Sequence, residues 1–346
     1  MNGNKGGPSG PTRAEDRTQG LPQARSLPRN AWQAGIAHQK MVQEALKKKF
    51  GSHQRLICKY DMRYPEQAER EYQRLASVYM RLVMDALKEY LPEIRDAAKA
   101  ERESSRRDAE NDRDDPKRQP ASTDLIAWVN AVFDKMAAKL EQDTADFGFY
   151  ERVQKLANLT ERMGNREWKK AVRATLGIDL MEDYYKGEFF REALPRWVEQ
   201  NVALVKTIPQ ESLGKMRHIT LEGYRNGEST TTIVKKIQAE YGMDKRHARL
   251  IARDQIAKLN SQIVQQRMRD AGVREYFWRT VKDRRVRDSH RELEGKRFRL
   301  DDPPVVDQKT GRRCHPGEDF QCRCTARAVF DWETIDLPIS EERKKA

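Results

Sequence analysis

The chain has 346 residues, of which 37% are hydrophobic and 35% are charged, and its mean hydropathy is −0.94. This length suits about two domains, but the composition is too polar for a chain that is globular throughout. No segment approaches the roughly 18 apolar residues of a membrane span, and the first twenty residues lack the apolar core of a secretory signal. Four cysteines exclude a disulfide scaffold and favour a protein made in a reducing cytosol.

The chain carries 13 more Lys and Arg residues than Asp and Glu residues, and the excess is concentrated in two segments. Residues 1–60 have a net charge of +8, and residues 241–280 have a net charge of +5. Such clusters favour polyanions, including double-stranded DNA bound without sequence preference, although a solvated basic face is the simpler alternative. The predicted DNA-binding residues are basic side chains of the first segment: Arg13, Arg17, Arg25, Arg29, Lys47, Lys48 and Lys49.

The pattern along the chain predicts a mainly α protein with a small C-terminal α+β domain and a flexible basic N-terminal arm. The arm is rich in Gly, Pro and Ser, so it cannot repay the entropy of ordering by itself. In chain order we predict a flexible arm (1–35), a helical segment (36–120) with a charged linker (95–120), a helical body (121–272), a small α+β domain (273–338) and a tail (339–346).

Apolar residues at helical spacing predict a series of amphipathic helices before residue 272. Pro209 suits the first turn of a helix, while Gly242 and Gly272 are typical of helix ends. The predicted helices cover about 31–50, 66–100, 123–140, 150–163, 165–176, 188–206, 209–226, 229–241 and 244–271.

After Gly272 the pattern changes to short strands separated by turns. Residues 276–281 are aromatic and β-branched, and residues 324–330 alternate between apolar and polar side chains, so each segment predicts a strand. The predicted domain has only about 60 residues, and domains of this size often need a metal or another cross-link for stability.

One cluster of side chains in this domain carries chemical information. Cys314, His315, Cys322 and Cys324 fall within eleven residues, and Asp283 and His290 precede them. Thiolate and imidazole ligands suit a tetrahedral structural Zn²⁺, although the spacing is not that of a standard zinc finger. The predicted zinc ligands are His290, His315, Cys322 and Cys324, with Asp283 and Cys314 as alternates. The alternative is a hydrogen-bonded polar core in which the thiols are merely buried.

The sequence carries no signature of a known catalytic site. It has no phosphate-binding glycine loop, no H-E-x-x-H and no G-x-S-x-G, and Cys322-x-Cys324 differs from the C-x-x-C of the zinc deaminases. We therefore predict that the protein is not an enzyme. The alternative is a metal-dependent nuclease that acts on DNA through the C-terminal cluster, with Asp283, His290 and His315 as metal ligands.

The C-terminal part of the chain resembles the phage Mu protein F-like head-morphogenesis family over about residues 245–330, and more weakly from about 180. The resemblance is carried by segments 250–260, 272–280, 283–290 and 293–295 and by the two pairs His315-Pro316 and Cys322-x-Cys324. The short ending of the family, H-P-x-C-R-C, is stretched here by residues 317–321. The matching positions are Asp283, Arg285, His290, Gly295, His315, Pro316, Cys322, Arg323 and Cys324.

This resemblance implies a minor head protein of a tailed phage. Such proteins belong to the virion, in the head interior or at the portal vertex, and assemble in the host cytoplasm. The implied partners are the portal protein, the major capsid or scaffolding protein, and packaged DNA.

Overall fold

The computed structural model describes residues 29–51, 55–111, 122–180 and 188–337. The described residues form a mainly helical body with a small antiparallel C-terminal sheet, which confirms the predicted fold class. The arm predicted over residues 1–35 lies outside the described residues up to residue 28. The helices are α1 (Arg29–Phe50), α2 (Glu66–Tyr79), α3 (Arg81–Asn111), α4 (Thr123–Asp146), α5 (Phe149–Leu176), α6 (Glu188–Arg225), α7 (Thr230–Asp270) and the short α8 (Asp288–Arg291).

Local sequence explains where several helices begin and end. Ser122 and Ser229 cap α4 and α7, because each hydroxyl accepts a hydrogen bond from a backbone N–H of the first turn. Gly177 ends α5 in the left-handed conformation that glycine adopts most readily. The apolar stripe predicted for α4 is buried along its length, from Leu125 to Leu140.

Three pairs of predicted helices are continuous in the structure, so those predicted breaks were wrong. Gly164 lies inside α5, where a Cβ atom would come within 3.0 Å of the Ile263 side chain on α7, so this glycine allows close packing. Pro209 lies inside α6 and Gly242 inside α7. A single glycine costs about 1 kcal/mol in a helix, which tertiary packing outweighs here. Conversely, the helix predicted over 66–100 is interrupted at Met80, and α3 extends to Asn111.

The C-terminal sheet takes one strand from the N-terminal part of the chain. Four antiparallel strands lie in the order β1 (Arg55–Ile57), β6 (Thr325–Asp331), β2 (Glu275–Arg279) and β3 (Arg297–Arg299). A second pair joins β4 (Val305–Asp307) to β5 (Arg312–Arg313). Strands β2 and β6 confirm the two predicted strands, whereas β1 lies in a segment that we predicted to be helical. Arg55 of β1 is paired with Asp331 of β6.

The buried apolar residues form two clusters. The first lies among α2 to α7 and includes Tyr72, Phe133 and Ile256. The second lies under the C-terminal sheet and combines its strands with the ends of α5 and α7 and with Val42 and Leu46 of α1. Helix α1 is therefore part of the same packed unit as the C-terminal sheet. None of the helices in the described ranges is both long and apolar enough to cross a membrane.

Candidate metal centre and basic tract

The structure brings His290, Cys322 and Cys324 together in the interior of the C-terminal domain. The Nδ1 atom of His290 lies 3.4 Å from Sγ of Cys322 and 3.7 Å from Sγ of Cys324. The three possible ligand atoms all lie within 4.8 Å of one another, and the three residues are buried. Three of the four predicted zinc ligands thus form one compact group.

Short backbone elements set this geometry. His290 lies on α8, which follows β2, and the two cysteines lie in the segment that leads into β6. The turn before Cys322 is held against α7, because the backbone N–H of Gln321 donates to the Asp254 carboxylate at 2.7 Å. Gln321 has a φ of +54°, a left-handed conformation that costs energy for a residue with a side chain. This strained position fixes where Cys322 enters the cluster.

A carboxylate orients the histidine from the side opposite the thiols. Oδ2 of Asp319 lies 3.0 Å from Nε2 of His290, and the side chain of Asp319 is 3% exposed. Arg287 and Arg312 both form ion pairs with the same carboxylate, at 3.1 and 3.0 Å. Because an ionised carboxylate only accepts hydrogen bonds, Nε2 carries the proton and Nδ1 is the nitrogen left to face the sulfurs.

Asp319 is not among the site residues predicted from the sequence. It lies in the five residues that stretch the H-P-x-C-R-C ending of the family, where an acidic pair, Glu318-Asp319, stands two residues before the C-x-C. An acidic residue near clustered Cys and His residues is a signal for such an orienting partner. The extra residues therefore supply a contact to the site.

The cluster also shifts the pKa values of its own groups. A hydrogen bond from Cys324 and the contact with His290 lower the pKa of the Cys322 thiol to about 5, against the opposing effect of burial. The same arrangement raises the pKa of Cys324, whose thiol donates to Cys322. Burial opposes protonation of His290, but its contacts with Cys322 and Asp319 outweigh that effect and raise its pKa. The site therefore favours a thiolate at Cys322, which is the form that binds metal.

The remaining predicted site residues lie elsewhere in the domain. Nδ1 of His315 lies 2.9 Å from the hydroxyl of Tyr276, and His315 is not in the compact group. Cys314 is half-buried, and burial raises the pKa of its thiol to about 12. Asp283 forms an ion pair with Arg323 and accepts a hydrogen bond from the backbone N–H of Arg285. Although burial acts in the opposite direction, these two contacts lower the pKa of Asp283.

A cavity of about 220 Å³ lies directly beside the cluster, and all three residues of the group line it. None of the residues that line this cavity carries a carboxylate. Its remaining walls are arginines and apolar or amide side chains: Leu250, Arg253, Val281, Arg285, Val286, Arg287, Gln321 and Arg323.

The predicted DNA-binding residues are only partly described. Arg13, Arg17 and Arg25 lie outside the described residues, and Arg29 is the first residue of α1. Lys47, Lys48 and Lys49 are exposed in the last turn of α1. Lys49 donates to the backbone carbonyl of Leu176 at 2.8 Å, so it also caps the end of α5.

A second group of basic side chains, which the sequence analysis did not single out, lines a cavity of about 290 Å³ between α2, the start of α3 and α7. We call it the basic tract, and it consists of Arg70, Arg74, Arg81 and Arg249. All four are exposed, and none of their side chains forms an ion pair or hydrogen bond within the described part of the chain. No acidic residue lines this cavity. Arg70 also lines a neighbouring cavity of about 770 Å³ beside the C-terminal domain.

Comparison with known proteins agrees with the resemblance noted in the sequence. The chain is 31% identical over 155 residues to an uncharacterized protein of Haemophilus influenzae, a match that covers 45% of this chain. That match spans 33% of the length of the Haemophilus protein. No solved structure matches the chain. The family described as "Phage Mu protein F like protein" matches residues 215–327, which run from α6 through the metal-ligand candidates to β6. Residues 215–327 of this chain are therefore a phage Mu protein F-like segment. This match confirms the resemblance that was identified in the C-terminal part of the sequence.

Proposed function

We propose that this protein is a structural minor head protein of a tailed phage, which acts in head assembly at the portal vertex and contacts packaged DNA. The observation that carries the proposal is the match of residues 215–327 to the phage Mu protein F-like family, because this family suggests a role in head morphogenesis. The protein would belong to the virion and would meet the portal protein and the major capsid or scaffolding protein in the host cytoplasm.

Contact with DNA is supported by two separate groups of basic residues. The first is the N-terminal segment, which has a net charge of +8 over residues 1–60. The second is the basic tract, whose arginines lack ionic partners in the described ranges and therefore remain available for phosphate groups. Such contacts are independent of base sequence and weaken as the salt concentration rises.

A structural role fits the cavity beside the cluster better than catalysis does. In the zinc deaminases a glutamate beside the metal acts as the general acid and base of the hydrolysis. The residues that line this cavity include no carboxylate. The rival function, metal-dependent cleavage of DNA, keeps one supporting observation, which is the arginines that line the same cavity.

Binding to the portal protein tests the head-assembly role. The tagged protein and the portal protein encoded by the same phage are produced together and purified through the tag. We expect the two proteins to co-purify and to remain together in size-exclusion chromatography. Separation of the two proteins under these conditions would contradict the role at the portal vertex.

The contribution of the N-terminal arm is tested by removing residues 1–28 only. A deletion of residues 1–60 is unsuitable, because Val42 and Leu46 lie in the core under the sheet and Arg55 pairs with β6. We expect the shortened protein to bind a fluorescent DNA duplex more weakly than the full chain does at low salt. Equal affinity of the two proteins would rule out a role for the arm.

The rival function is tested by incubating labelled DNA with the protein and added Mg²⁺, Mn²⁺ or Zn²⁺. We expect no cleavage above that of a buffer blank. Cleavage that requires the metal and is lost in His290→Ala would contradict the structural role and support the nuclease function.

A further inference from the structure

We propose that His290, Cys322 and Cys324 bind one zinc ion whose fourth coordination position is open to the arginine-lined cavity, where water or a small anion completes the shell. This centre differs from the closed four-residue staple predicted from the sequence. The proposal does not depend on the role in head assembly, because it rests on the geometry of this cluster and its cavity alone.

The two distances from the imidazole nitrogen to the sulfurs are those of a tetrahedral zinc site, and the three ligand atoms lie within 4.8 Å of one another. With Zn–S bonds of about 2.3 Å and Zn–N bonds of about 2.0 Å, the S···N edge of a tetrahedron is about 3.5 Å. The observed distances from His290 Nδ1 to the two sulfurs are 3.4 and 3.7 Å. One ion can therefore reach all three atoms without a change in the backbone.

The surroundings prepare these residues to bind a metal. Zinc-binding histidines usually donate their second ring N–H to a carboxylate or carbonyl, and Asp319 holds His290 in this way. Trp278 packs edge-on against the imidazole with ring centres 5.3 Å apart, which further limits rotation of the ring. The ligand set of two thiolates and one imidazole suits zinc better than it suits Mg²⁺ or Ca²⁺, which prefer oxygen.

The fourth position has no protein ligand in the described part of the chain. His315, the fourth ligand predicted from the sequence, is engaged with Tyr276 and lies outside the compact group. The three ligand residues instead share a cavity of about 220 Å³ with four arginines. Of these, Arg285 has no ion pair among the described residues, so the cavity favours an anion over a cation as the added ligand.

Metal analysis of variants tests the ligand set. Protein purified in a reducing buffer with zinc present and then desalted is analysed for zinc by elemental analysis. We expect about one zinc per chain in the wild type and in Cys314→Ser and His315→Gln, and strong loss in Cys322→Ser, Cys324→Ser and His290→Ala. Cys314→Ser is the matched control, because it removes a neighbouring half-buried thiol that lies outside the group.

Each unexpected result overturns a definite part of the proposal. Folded wild-type protein that retains no zinc would refute the metal site. Loss of zinc from Cys314→Ser or His315→Gln, in protein that keeps the wild-type circular dichroism spectrum, would show a closed site with a fourth protein ligand.

Cobalt substitution tests the open position in the wild-type chain, so it does not depend on whether the variants fold. Zinc is replaced by Co²⁺, and the visible spectrum is recorded while sodium azide is added. We expect strong absorption typical of tetrahedral cobalt with thiolate ligands, followed by a saturable change of the visible bands on addition of azide. A spectrum of tetrahedral cobalt that azide leaves unchanged would refute the open position.

Discussion

Asp319 Oδ2 lies 3.0 Å from Nε2 of His290, while Nδ1 of the same ring faces the sulfur atoms of Cys322 and Cys324. The carboxylate and the thiols therefore contact opposite edges of one imidazole. Arg287 and Arg312 hold the carboxylate in turn, so a chain of polar contacts runs from the surface to the buried thiols. This chain is what distinguishes the cluster from cysteines that are simply packed in a core.

Removing the orienting carboxylate is predicted to weaken zinc binding without removing a ligand. In Asp319→Asn we expect the zinc affinity, measured by competition with a coloured chelator, to fall about 10- to 100-fold. Asp307→Asn is the control, because Asp307 also pairs with Arg312 but does not contact His290. Unchanged affinity in Asp319→Asn, or an equal loss in the control, would show that Asp319 does not act through the histidine.

The basic tract is predicted to contribute to DNA binding by pairing with phosphate groups. In the double variant Arg74→Gln/Arg249→Gln we expect weaker binding to a DNA duplex and a smaller salt dependence. The slope of log affinity against log salt concentration should decrease by about 0.9 for each phosphate that the variant no longer neutralises. Fluorescence anisotropy at several salt concentrations measures both quantities.

The control for this experiment is the double variant Arg225→Gln/Arg299→Gln. It removes the same charge, but both arginines are paired with neighbouring acidic residues, Glu222 and Asp301. If both double variants lose affinity equally, the tract has no specific role and only the net charge matters.

Helix α1 is predicted to stabilise the fold. Leu46 is 1% exposed and lies in the core under the C-terminal sheet, so Leu46→Ala should lower the free energy of unfolding by about 2–5 kcal/mol. Met41 lies on the same helix and is 42% exposed, so Met41→Ala should change the value by less than about 0.5 kcal/mol. Urea denaturation measures both. Similar stability of Leu46→Ala and the wild type would mean that α1 is not packed as described.

Two glycines with positive φ are predicted to respond differently to alanine. A Cβ atom at Gly272 would lie 1.7 Å from the backbone oxygen of Thr334, whereas at Gly295 it would meet nothing within 4 Å. Gly295→Ala should therefore cost only the backbone strain, roughly 1–2 kcal/mol, and Gly272→Ala clearly more. Thermal unfolding measures the stability of both variants. A smaller loss of stability in Gly272→Ala than in Gly295→Ala would contradict the close approach of the Thr334 backbone to Gly272.

Glu167 is predicted to make stability depend on pH in the acid range. Burial opposes its ionisation, but hydrogen bonds from Lys170, Tyr60 and the backbone of Arg63 outweigh this effect and lower its pKa below the ordinary 4.5. The folded protein therefore keeps the carboxylate ionised where the unfolded chain has bound a proton. Its contribution to stability is complete above about pH 4.5 and is lost as the pH falls through the lowered pKa.

The variant Glu167→Gln tests this contribution. At neutral pH we expect it to be less stable than the wild type by about 1.5–3 kcal/mol, and this difference should shrink below pH 4.5. Glu222→Gln, which changes an exposed ion pair, should differ little from the wild type at any pH. If the difference in stability between Glu167→Gln and the wild type stays constant down to pH 3, the lowered pKa of Glu167 is refuted.

Sequence reasoning identified the helices of the body and the two main strands, because their apolar residues follow a regular period. It predicted false helix breaks next to Gly164, Pro209 and Gly242, which all lie inside well-packed helices. Local pattern shows that a break is possible, whereas the packing of α7 against Gly164 decides that the helix continues. Strand β1 was missed because three residues carry too little periodicity to be recognised.

The sequence predicted the chemistry of the candidate site but not the full set of residues that form it. The density of Cys and His residues pointed to His290, Cys322 and Cys324, which the structure groups together. Which histidine joins them depends on the fold, since His315 lies nearer in sequence to the cysteines but turns to Tyr276. The basic tract was hidden because Arg74 and Arg249 are far apart in sequence and line the same cavity only when α2 and α7 pack.

The pairing of Arg55 with Asp331 also determines when the C-terminal sheet can form during translation. The two residues are 276 positions apart, so at roughly 5–20 residues per second strand β1 leaves the ribosome tens of seconds before its partner strand exists. During that interval the edge of β1 is unpaired and the buried face of α1 lacks its core. The C-terminal sheet therefore closes only late in translation, when the first and last parts of the chain are both available.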